Sequence, residues 1–554
     1  MAIKRLRISA DFETTVDPSD VRVWASCAVD IDTLETVFIG NSIESFFEWL
    51  SDKNTVCYFH NLKFDGEFIL SYLLRNGFTY STEKKDKTFE TLITDGGVFY
   101  SISVIFEKKN KKYKKVVFYD SLKKLPFKVA TISKAFNLPD EKLVIDYKAP
   151  RPVGHELTDE ERAYIVKDCR IVAGALQIQF KEGLKKMTNA SDALSHFKEG
   201  MTLTHFEKFF PTFPIELDAF IRKAYKGGYV YLVPRHKNAR GLSGVQFDVN
   251  SLYPSVMYEK VLPYGYPIYF EGAPETTDDY PLFIVHLKCA FELKPDHLPT
   301  IQLKNNRAYI ETEYLTSSGG DVVDLTLTNV DLDLFLDHYD VYNLEYVSGL
   351  KFKGRAGFFK EYIDHWGHIK ETTTGAKRQL AKLMLNSLYG KFATNPNARK
   401  KIAELDEDEI VRYKLDDPEE RDPVYTAMGC FITAYAREKT IRSGQSVYDR
   451  FIYADTDSLK LVGYEIPENL DVHPTRLGAW KNEGTFTDSM WIRAKTYMTT
   501  TDEGTKVTCA GMPDNIKDRV TYDNFKSGTT FEGKLMPKRC KGGVVLVETT
   551  FTIK

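Results

Sequence analysis

Residues 451–462 read Phe-Ile-Tyr-Ala-Asp-Thr-Asp-Ser-Leu-Lys-Leu-Val. Two apolar arms, 451–453 and 459–461, flank Ala454-Asp455-Thr456-Asp457-Ser458. This is the pattern of a β-hairpin with two aspartates at its tip. A solvated turn would also carry Asp and Thr. Acids set inside an apolar hairpin are costly without a counter-ion, which favours a metal. A second apolar strand ends in the same way, in Phe247-Asp248-Val249-Asn250-Ser251-Leu252-Tyr253-Pro254. One aspartate from each strand suits the metal pair of nucleotidyl transfer.

A helix predicted over about 376–391 supplies the opposite charge. At 100° per residue Arg378, Lys382 and Tyr389 share one face, with Asn386 beside them. Leu380, Leu383, Met384 and Leu388 fall on the other, buried face. A cationic face at fixed spacing suits a triphosphate, whose leaving pyrophosphate needs its charge neutralised. An amphipathic surface helix would explain the charges alone, but not why Asn-Ser-Leu-Tyr-Gly-Lys follows directly.

A separate carboxylate set lies near the start. Asp11 and Glu13 stand two apart at the end of a predicted strand, so both point to one face. A DxE pair by itself is most often structural. Here Asn61 and Asp65 bracket a strand-to-helix connection in HNLKFDGEF, where Asp65 can cap the helix. Tyr164 and Asp168 share one face of a later helix, whose start carries a capping box of Thr158 and Glu161. Phosphodiester hydrolysis with two metals needs three or four carboxylates, and a tyrosine hydroxyl can orient the attacking water.

The chain has 554 residues, too many for one compact core, so two to four domains or subdomains are expected. Its net charge of −3 gives no whole-chain signal for nucleic acid, so a polyanion partner needs local basic surfaces. Aromatics reach 13%, which suits base stacking but is equally absorbed by a large core. Seven scattered cysteines without a CxxC pair suggest neither a zinc site nor a disulfide framework, and fit a reduced intracellular compartment. No signal peptide is expected at the start, and no run of eighteen apolar residues reads as a membrane span.

Residues 1 to about 188 read as alternating strands and helices. These include strands at 6–10 and 55–59, a helix at about 66–74, and a hairpin of 98–106 with 116–119. The lysine-rich run 108–115 reads as its solvated turn in preference to a DNA contact. After about 190 come a Gly-Gly turn at 227–228 and a strand at 245–249. A mixed region rich in prolines and turns fills 255–375. An acidic stretch occupies 395–424, and a tail of short strands closes the chain.

The order DxE, NxxxD, YxxxD resembles the three exonuclease motifs of family B DNA polymerases. DxxSLYP (248–254), KLMLNSLYGK (382–391) and YADTDS (453–458) resemble that family's three polymerase motifs, in the family's order. Lys495-Thr496-Tyr497 resembles its KxY element, and Tyr225-Lys226-Gly227-Gly228 its YxGG element. The likeness runs from about residue 8 to the end. It includes VVFYDSLKKLPF (116–127), LPYG (262–265), SSGG (317–320), SGLKFK (348–353), DPVYT (422–426), CAGM (509–512) and GGVVLV (542–547). It is strongest to the protein-primed polymerases of small tailed bacteriophages.

The resemblance implies an α/β and α+β multidomain protein. A ribonuclease-H-like 3′→5′ exonuclease domain (1–188) would precede a palm, fingers and thumb polymerase domain (189–554). Insertions at about 260–357 and 395–424 would contact a terminal protein and ring the template, and the thumb would occupy about 510–554. The second insertion is strongly acidic here, which points to a steric role in place of attraction to phosphate. The basic residues Lys534, Lys538, Arg539 and Lys541 could grip duplex backbone.

By the same resemblance Asp11, Glu13, Asp65 and Asp168 hold exonuclease metals, Tyr164 positions water, and Lys142 matches a catalytic-site lysine. Thr14, His60, Asn61, Phe64, Ser121, Leu122 and Phe127 match positions that grip single-stranded DNA. Asp248 and Asp457 are the main polymerase ligands, with Asp455 beside them and Val249 in both the metal and the nucleotide sets. Lys370, Arg378 and Lys382 face the triphosphate. Tyr253 excludes a 2′-hydroxyl, Asn386 and Tyr389 flank the nascent pair, and Lys495 and Tyr497 support the primer terminus. Tyr225, Gly227 and Gly228 contact DNA.

The implied cofactor is Mg2+ in two-metal sites of both activities, with Mn2+ as an alternative. The implied partners are primer-template DNA, dNTPs, a terminal protein primer and a single-stranded DNA-binding protein, for a monomer with no membrane association in the cytoplasm of an infected bacterium. A related polymerase using ordinary nucleic-acid primers is the nearest alternative. A nuclease with a degenerate polymerase domain and a non-catalytic DNA clamp are the more distant ones.

Overall fold

The computed structural model describes residues 5–109, 112–302 and 314–554. The leading unit is an eight-stranded sheet. Its strand order is Thr36–Gly40, Val23–Asp30, Leu6–Thr14, Thr55–Phe59, Lys112–Asp120, Phe99–Lys109, Thr88–Ile93, Thr79–Tyr80. Leu6–Thr14, Thr55–Phe59 and Lys112–Asp120 run parallel at its centre. Parallel neighbours need long crossovers, and helices Ile43–Leu50 and Leu62–Arg75 lie in those connections. These two helices cover one face and Asp159–Lys181 the other. Side chains therefore alternate along Leu6–Thr14. Ile8, Ala10 and Phe12 enter the core beneath the first two helices, which leaves Asp11 and Glu13 for the other face.

Three local expectations change here. The first strand extends to Thr14, so Asp11 and Glu13 sit inside a paired strand, opposite Cys27 and Ala25, and not at its end. Asp65 is not the helix cap. Asn61 occupies that position in the left-handed region, and the Asp120 carboxylate accepts from the Asn61 and Leu62 N–H groups at 3.1 and 3.3 Å. Asp65 is thereby free to point elsewhere. Most of the lysine-rich run lies within the strands Phe99–Lys109 and Lys112–Asp120, and residues 110–111 fall outside the described chain. The capping box of Thr158 and Glu161 forms as expected.

The second unit is built on a five-stranded antiparallel sheet, in the order Trp480–Phe486, Gly244–Val249, Ser458–Val462, Phe451–Asp455, Val230–Leu232. Helix Thr426–Ser446 lies against it, and helices Lys360–Thr372 and Gly375–Phe392 pair with each other at one end. The buried face of Gly375–Phe392 is Leu380, Met384 and Leu388 as read from spacing, with Leu385 in place of the half-buried Leu383. One hydrophobic core runs from beneath the first sheet, at Trp24 and Leu176, to Phe431 and Leu461 of the second unit. Buried Lys124 ties the two units, pairing with Asp192 while its carbonyl accepts from Gln179 and Asn189.

Residues 255–375 are more regular than their prolines suggest. Leu262–Glu271, Tyr339–Arg355, Leu282–Leu293 and Val323–Thr328 form a four-stranded antiparallel sheet beside helix Asn329–His338. Register shifts near Tyr264 and His286 break the alternation that would reveal the strands. Residues 303–313 of this expected insertion lie outside the described chain. The acidic stretch contains a hairpin, Lys401–Leu405 with Val411–Leu415, whose Ala403 and Val411 are buried against the first unit. The tail begins with short strands as expected, Asp488–Arg493, Thr496–Thr501 and Gly504–Cys509 in one antiparallel sheet, and ends in one long hairpin, Thr530–Cys540 with Gly543–Thr552.

Candidate active sites

The first carboxylate set converges. Asp11 and Glu13 from the strand, Asp65 from helix Leu62–Arg75 and Asp168 from helix Asp159–Lys181 line one cavity of about 220 Å³. His60, Asn61, Phe64, Lys142 and Tyr164 line it too. The Lys142 ammonium pairs with Asp168 and donates to the Tyr164 hydroxyl at 3.2 Å. Tyr147, which no sequence pattern singled out, reaches the Tyr164 hydroxyl at 2.6 Å from an otherwise irregular loop.

Four acids crowd around Lys142 here, and their proton affinities rise. Burial, then Asp168, lifts Asp11 to about 7. Burial and the neighbouring acids hold Glu13 and Asp65 well above the usual carboxylate range. Asp168 is also raised by burial, though Lys142 opposes the shift. Burial, then Glu13, pushes the Tyr164 hydroxyl up, so it keeps its proton. One oxygen each of Asp65 and Asp168 is buried without a hydrogen-bond partner.

Of the remaining residues of the first set, Ser121 and Phe127 touch the cavity wall through His60, while Thr14 and Leu122 are not among the residues that line it. His60 spans from the Ser121 hydroxyl, 2.9 Å from Nδ1, to the Phe127 carbonyl, 2.8 Å from Nε2. The Leu122 N–H donates to Asp120 at 3.1 Å, and Thr14 closes the first strand opposite Val23.

The second set assembles on the antiparallel sheet. Asp248 and Asp455 both lie opposite Ser458, so the sheet register puts the two aspartates on one face. Asp457 follows in the turn, and its carbonyl accepts from the Val249 N–H at 2.7 Å. Thr456 takes a left-handed conformation with φ 57°. Its N–H donates to the Tyr229 carbonyl and its own carbonyl accepts from the Thr440 hydroxyl, both at 2.6 Å. Gly228 is required at this point. A Cβ there would stand 2.6 Å from the Thr456 hydroxyl.

Asp248, Val249, Tyr253, Lys370, Lys382, Asn386, Tyr389 and Asp457 line a cavity of about 360 Å³. The Tyr253 and Tyr389 rings stack at 3.9 Å. Lys370 donates to Ser251 at 3.0 Å, while Arg378 is turned onto the Lys370 carbonyl, off the cavity wall. Lys495 donates to both oxygens of Asp455, at 3.1 and 2.9 Å, and Tyr497 stacks on Trp491. Tyr225 lies near Tyr389, and the Gly227 carbonyl accepts from Arg437 at 3.0 Å. Burial, then Asp457, raises Asp248 to about 7. Asp457 is raised by burial, and Lys370 is lowered by burial and then by Arg378 and Lys382.

Part of the basic tail is engaged within the chain. Arg539 donates to buried Glu67 at 2.9 Å and lies over the Tyr413 ring, and Lys541 pairs with Glu409 at 2.6 Å. Several acids of the second insertion are likewise matched: Asp406 with Arg412, Glu409 also with Arg75, and Glu419 with Lys400 and Arg421.

A chain with two acidic centres, one on a ribonuclease-H-like sheet and one on an antiparallel palm, has the build of a DNA polymerase. The family model for DNA polymerase type B, organellar and viral, matches residues 49–153 and 145–473. The DNA polymerase of Bacillus phage phi29 is 49% identical over 99% of both chains, and that of Streptococcus phage Cp-1 is 37% identical over 99% of this chain and 98% of its own. The structure of phi29 DNA polymerase with primer-template DNA and incoming nucleotide superposes with a TM-score of 0.95, at 48% identity, over 99% of this chain and 100% of that one. The chain belongs to the organellar and viral family of type B DNA polymerases, within its phi29-like phage branch.

Proposed function

We propose that this polymerase carries a 3′→5′ proofreading exonuclease, starts synthesis on a terminal protein and displaces the downstream strand. The observation that carries the first claim is the pair of separate acidic cavities, one in each unit. In this reading residues 1–188 form the exonuclease domain and 189–554 the polymerase domain.

Both centres fit divalent cations, Mg2+ before others. Among the described residues no three His, Cys, Asp or Glu side chains enclose an ion by themselves. Mg2+ is commonly held by one or two carboxylates plus substrate oxygens, so open clusters suit it. The unpartnered buried oxygens of Asp65 and Asp168 supply the test of fit, since such groups are costly unless something positive meets them. Asp11, Glu13, Asp65 and Asp168 would hold ions in one cavity, and Asp248, Asp455, Asp457 and the Val249 backbone in the other. Such ions stabilise charge on the attacking and leaving oxygens when bound.

The side chains do the rest. Tyr164 keeps its proton, so it orients a water by hydrogen bonding and does not act as a base. Tyr147 and Lys142 fix its hydroxyl. Asn61, Phe64 and His60 line the entry for a single strand. On the other side Lys370 and Lys382 face the triphosphate, and Arg378 reaches it by releasing the Lys370 carbonyl. The Tyr253 ring, braced by Tyr389, blocks a 2′-hydroxyl, while Asn386 flanks the base pair. Lys495 and Tyr497 support the primer end.

Primer extension and degradation, each with Mg2+ and with EDTA, test the two activities together. Mixing the enzyme with a candidate terminal protein, one labelled dNTP and Mg2+ tests priming through the protein–nucleotide adduct. An enzyme that extends only nucleic-acid primers fails the second assay and passes the first.

A further inference from the structure

The hairpin that carries Asp455 and Asp457 also carries a buried lysine that the polymerase reading does not use. Lys460 is 7% exposed. The register places it opposite Gln246 on one side and Tyr453 on the other. Cross-strand partners share a face, as do residues two apart along a strand. Asp248, Asp455, Ser458, Tyr453 and Lys460 therefore share one face of the sheet. Leu459 and Leu461 point into the core behind it.

The ammonium is seated between aromatic rings. It lies 5.4 Å from the centroid of Tyr497 and 6.0 Å from that of Tyr453. Trp491 backs this wall, 4.6 Å from Tyr497 and 5.6 Å from Tyr453. Among the described residues Lys460 has no ion pair with Asp248, Asp455 or Asp457, yet all three act on it through space. Asp455 is bonded instead by Lys495 and the Tyr453 hydroxyl. Lys460 is thus a charge held close to the carboxylates by π faces, and not a partner that a carboxylate must release.

We infer that Lys460 is a positioning residue of the polymerase centre, a fixed cation that offsets repulsion among Asp248, Asp455 and Asp457 and so sets how much divalent cation the centre requires. The inference rests on the reading of these three aspartates as cation ligands. Its physical content is a sign. A fixed positive charge stabilises the ion-free carboxylates and repels an arriving cation, so removing it tightens cation binding. A residue that merely fills space would leave binding unchanged or weaken it.

The test uses the full chain with Asp11→Ala and Asp65→Ala, so that Mn2+ binding followed by electron paramagnetic resonance reports the polymerase centre. Lys460→Met should bind Mn2+ about three- to tenfold more tightly, with Lys460→Arg close to the parent. The half-saturating Mg2+ for extension should fall in parallel, while KM for dNTP stays put. Unchanged or weaker Mn2+ binding by a folded Lys460→Met chain overturns the inference. If that variant does not fold, Lys460→Gln carries the same expectation. Failure of both to fold, in EDTA and in Mn2+ alike, makes Lys460 a packing residue and overturns it too. Asp248→Ala is the separate control. If it leaves Mn2+ binding intact, the ligand reading itself fails, whatever Lys460 does.

Discussion

The two acidic cavities of this chain balance their charge differently. The cavity of the first unit draws its acids from a strand and two helices, buries them, and opposes them chiefly with Lys142. The cavity on the palm sheet has its aspartates on one wall, and Lys370 and Lys382 come from the helix pair on the other. Lys460 and Lys495 add further positive charge beside the aspartates. A phosphodiester brings one negative charge, which suits an acid-rich pocket closed by cations. A triphosphate brings several, and it needs protein cations facing the acids. The contrast supports the proposal of hydrolysis in the first cavity and nucleotide addition in the second.

The most direct way to break this assignment is to disable one cavity at a time. Asp11→Ala with Asp65→Ala should lower 3′→5′ degradation by on the order of 10³-fold or more and leave extension largely intact. Asp248→Ala or Asp457→Ala should do the reverse. Loss of both activities in either variant, measured on one labelled primer-template, would end the two-site account.

A second test sharpens the substrate side of the comparison. Tyr253 stacks flat on Tyr389, which would brace its ring against the proposed sugar position. Tyr253→Val should raise rNTP use relative to dNTP by about ten- to a hundredfold, with degradation unaffected. An unchanged ratio in competition assays places the barrier elsewhere.

A third test concerns what joins the two regions. The acidic insertion and the tail hairpin meet on helix Leu62–Arg75 through Glu67–Arg539, Arg539 over Tyr413, and Glu409 with Arg75 and Lys541. This junction would close a collar around the template. Arg539→Ala removes a charged hydrogen bond worth about 2 kcal/mol, so products made through downstream duplex under a trap should shorten by about tenfold. Single-nucleotide addition on an open template should hold. Deleting 395–424 should show the same split more severely. Copying through duplex at parental length in either case refutes the collar.

The smallest expected effect is on pH. Asp11 and Asp248 are both raised to about 7. An acid whose folded pKa is raised stabilises the cation-free fold below its unfolded value near 4, and that contribution is lost as pH rises through 7. Cations need the deprotonated form, so apparent affinity should climb about tenfold per pH unit for each proton displaced. The Mg2+-induced rise in melting temperature should therefore be slight at pH 6 and clear at pH 8. A larger rise at pH 6 would contradict the raised values. Repeating the scan with Asp11→Asn and with Asp248→Asn apportions the effect between the cavities.

Much of this was legible along the chain because its periodicities are local. Period two placed Asp11 with Glu13, and the helical period grouped Lys382 with Tyr389. The box of Thr158 and Glu161 marked a helix start that the fold keeps. The aspartate-tipped hairpin needed only its own twelve residues to be read. Other features depended on residues far apart in sequence, and local patterns are silent there. Asp120 caps the helix where local spacing offers Asp65, across a parallel sheet whose register no single strand encodes. Tyr147 reaches Tyr164 from a loop with no period. Along the chain the acids of 395–424 read as one block, yet Arg75, Lys400, Arg412 and Lys541 meet Asp406, Glu409 and Glu419 among them, because pairing in space is independent of net charge along the chain. Sequence determined which groups are equipped for chemistry, since residue type and short spacing fix what a side chain can donate, accept or hold. Only the tertiary structure decided which charges are buried, which are answered and which remain open to substrate, since burial and long-range contact belong to the packed chain as a whole.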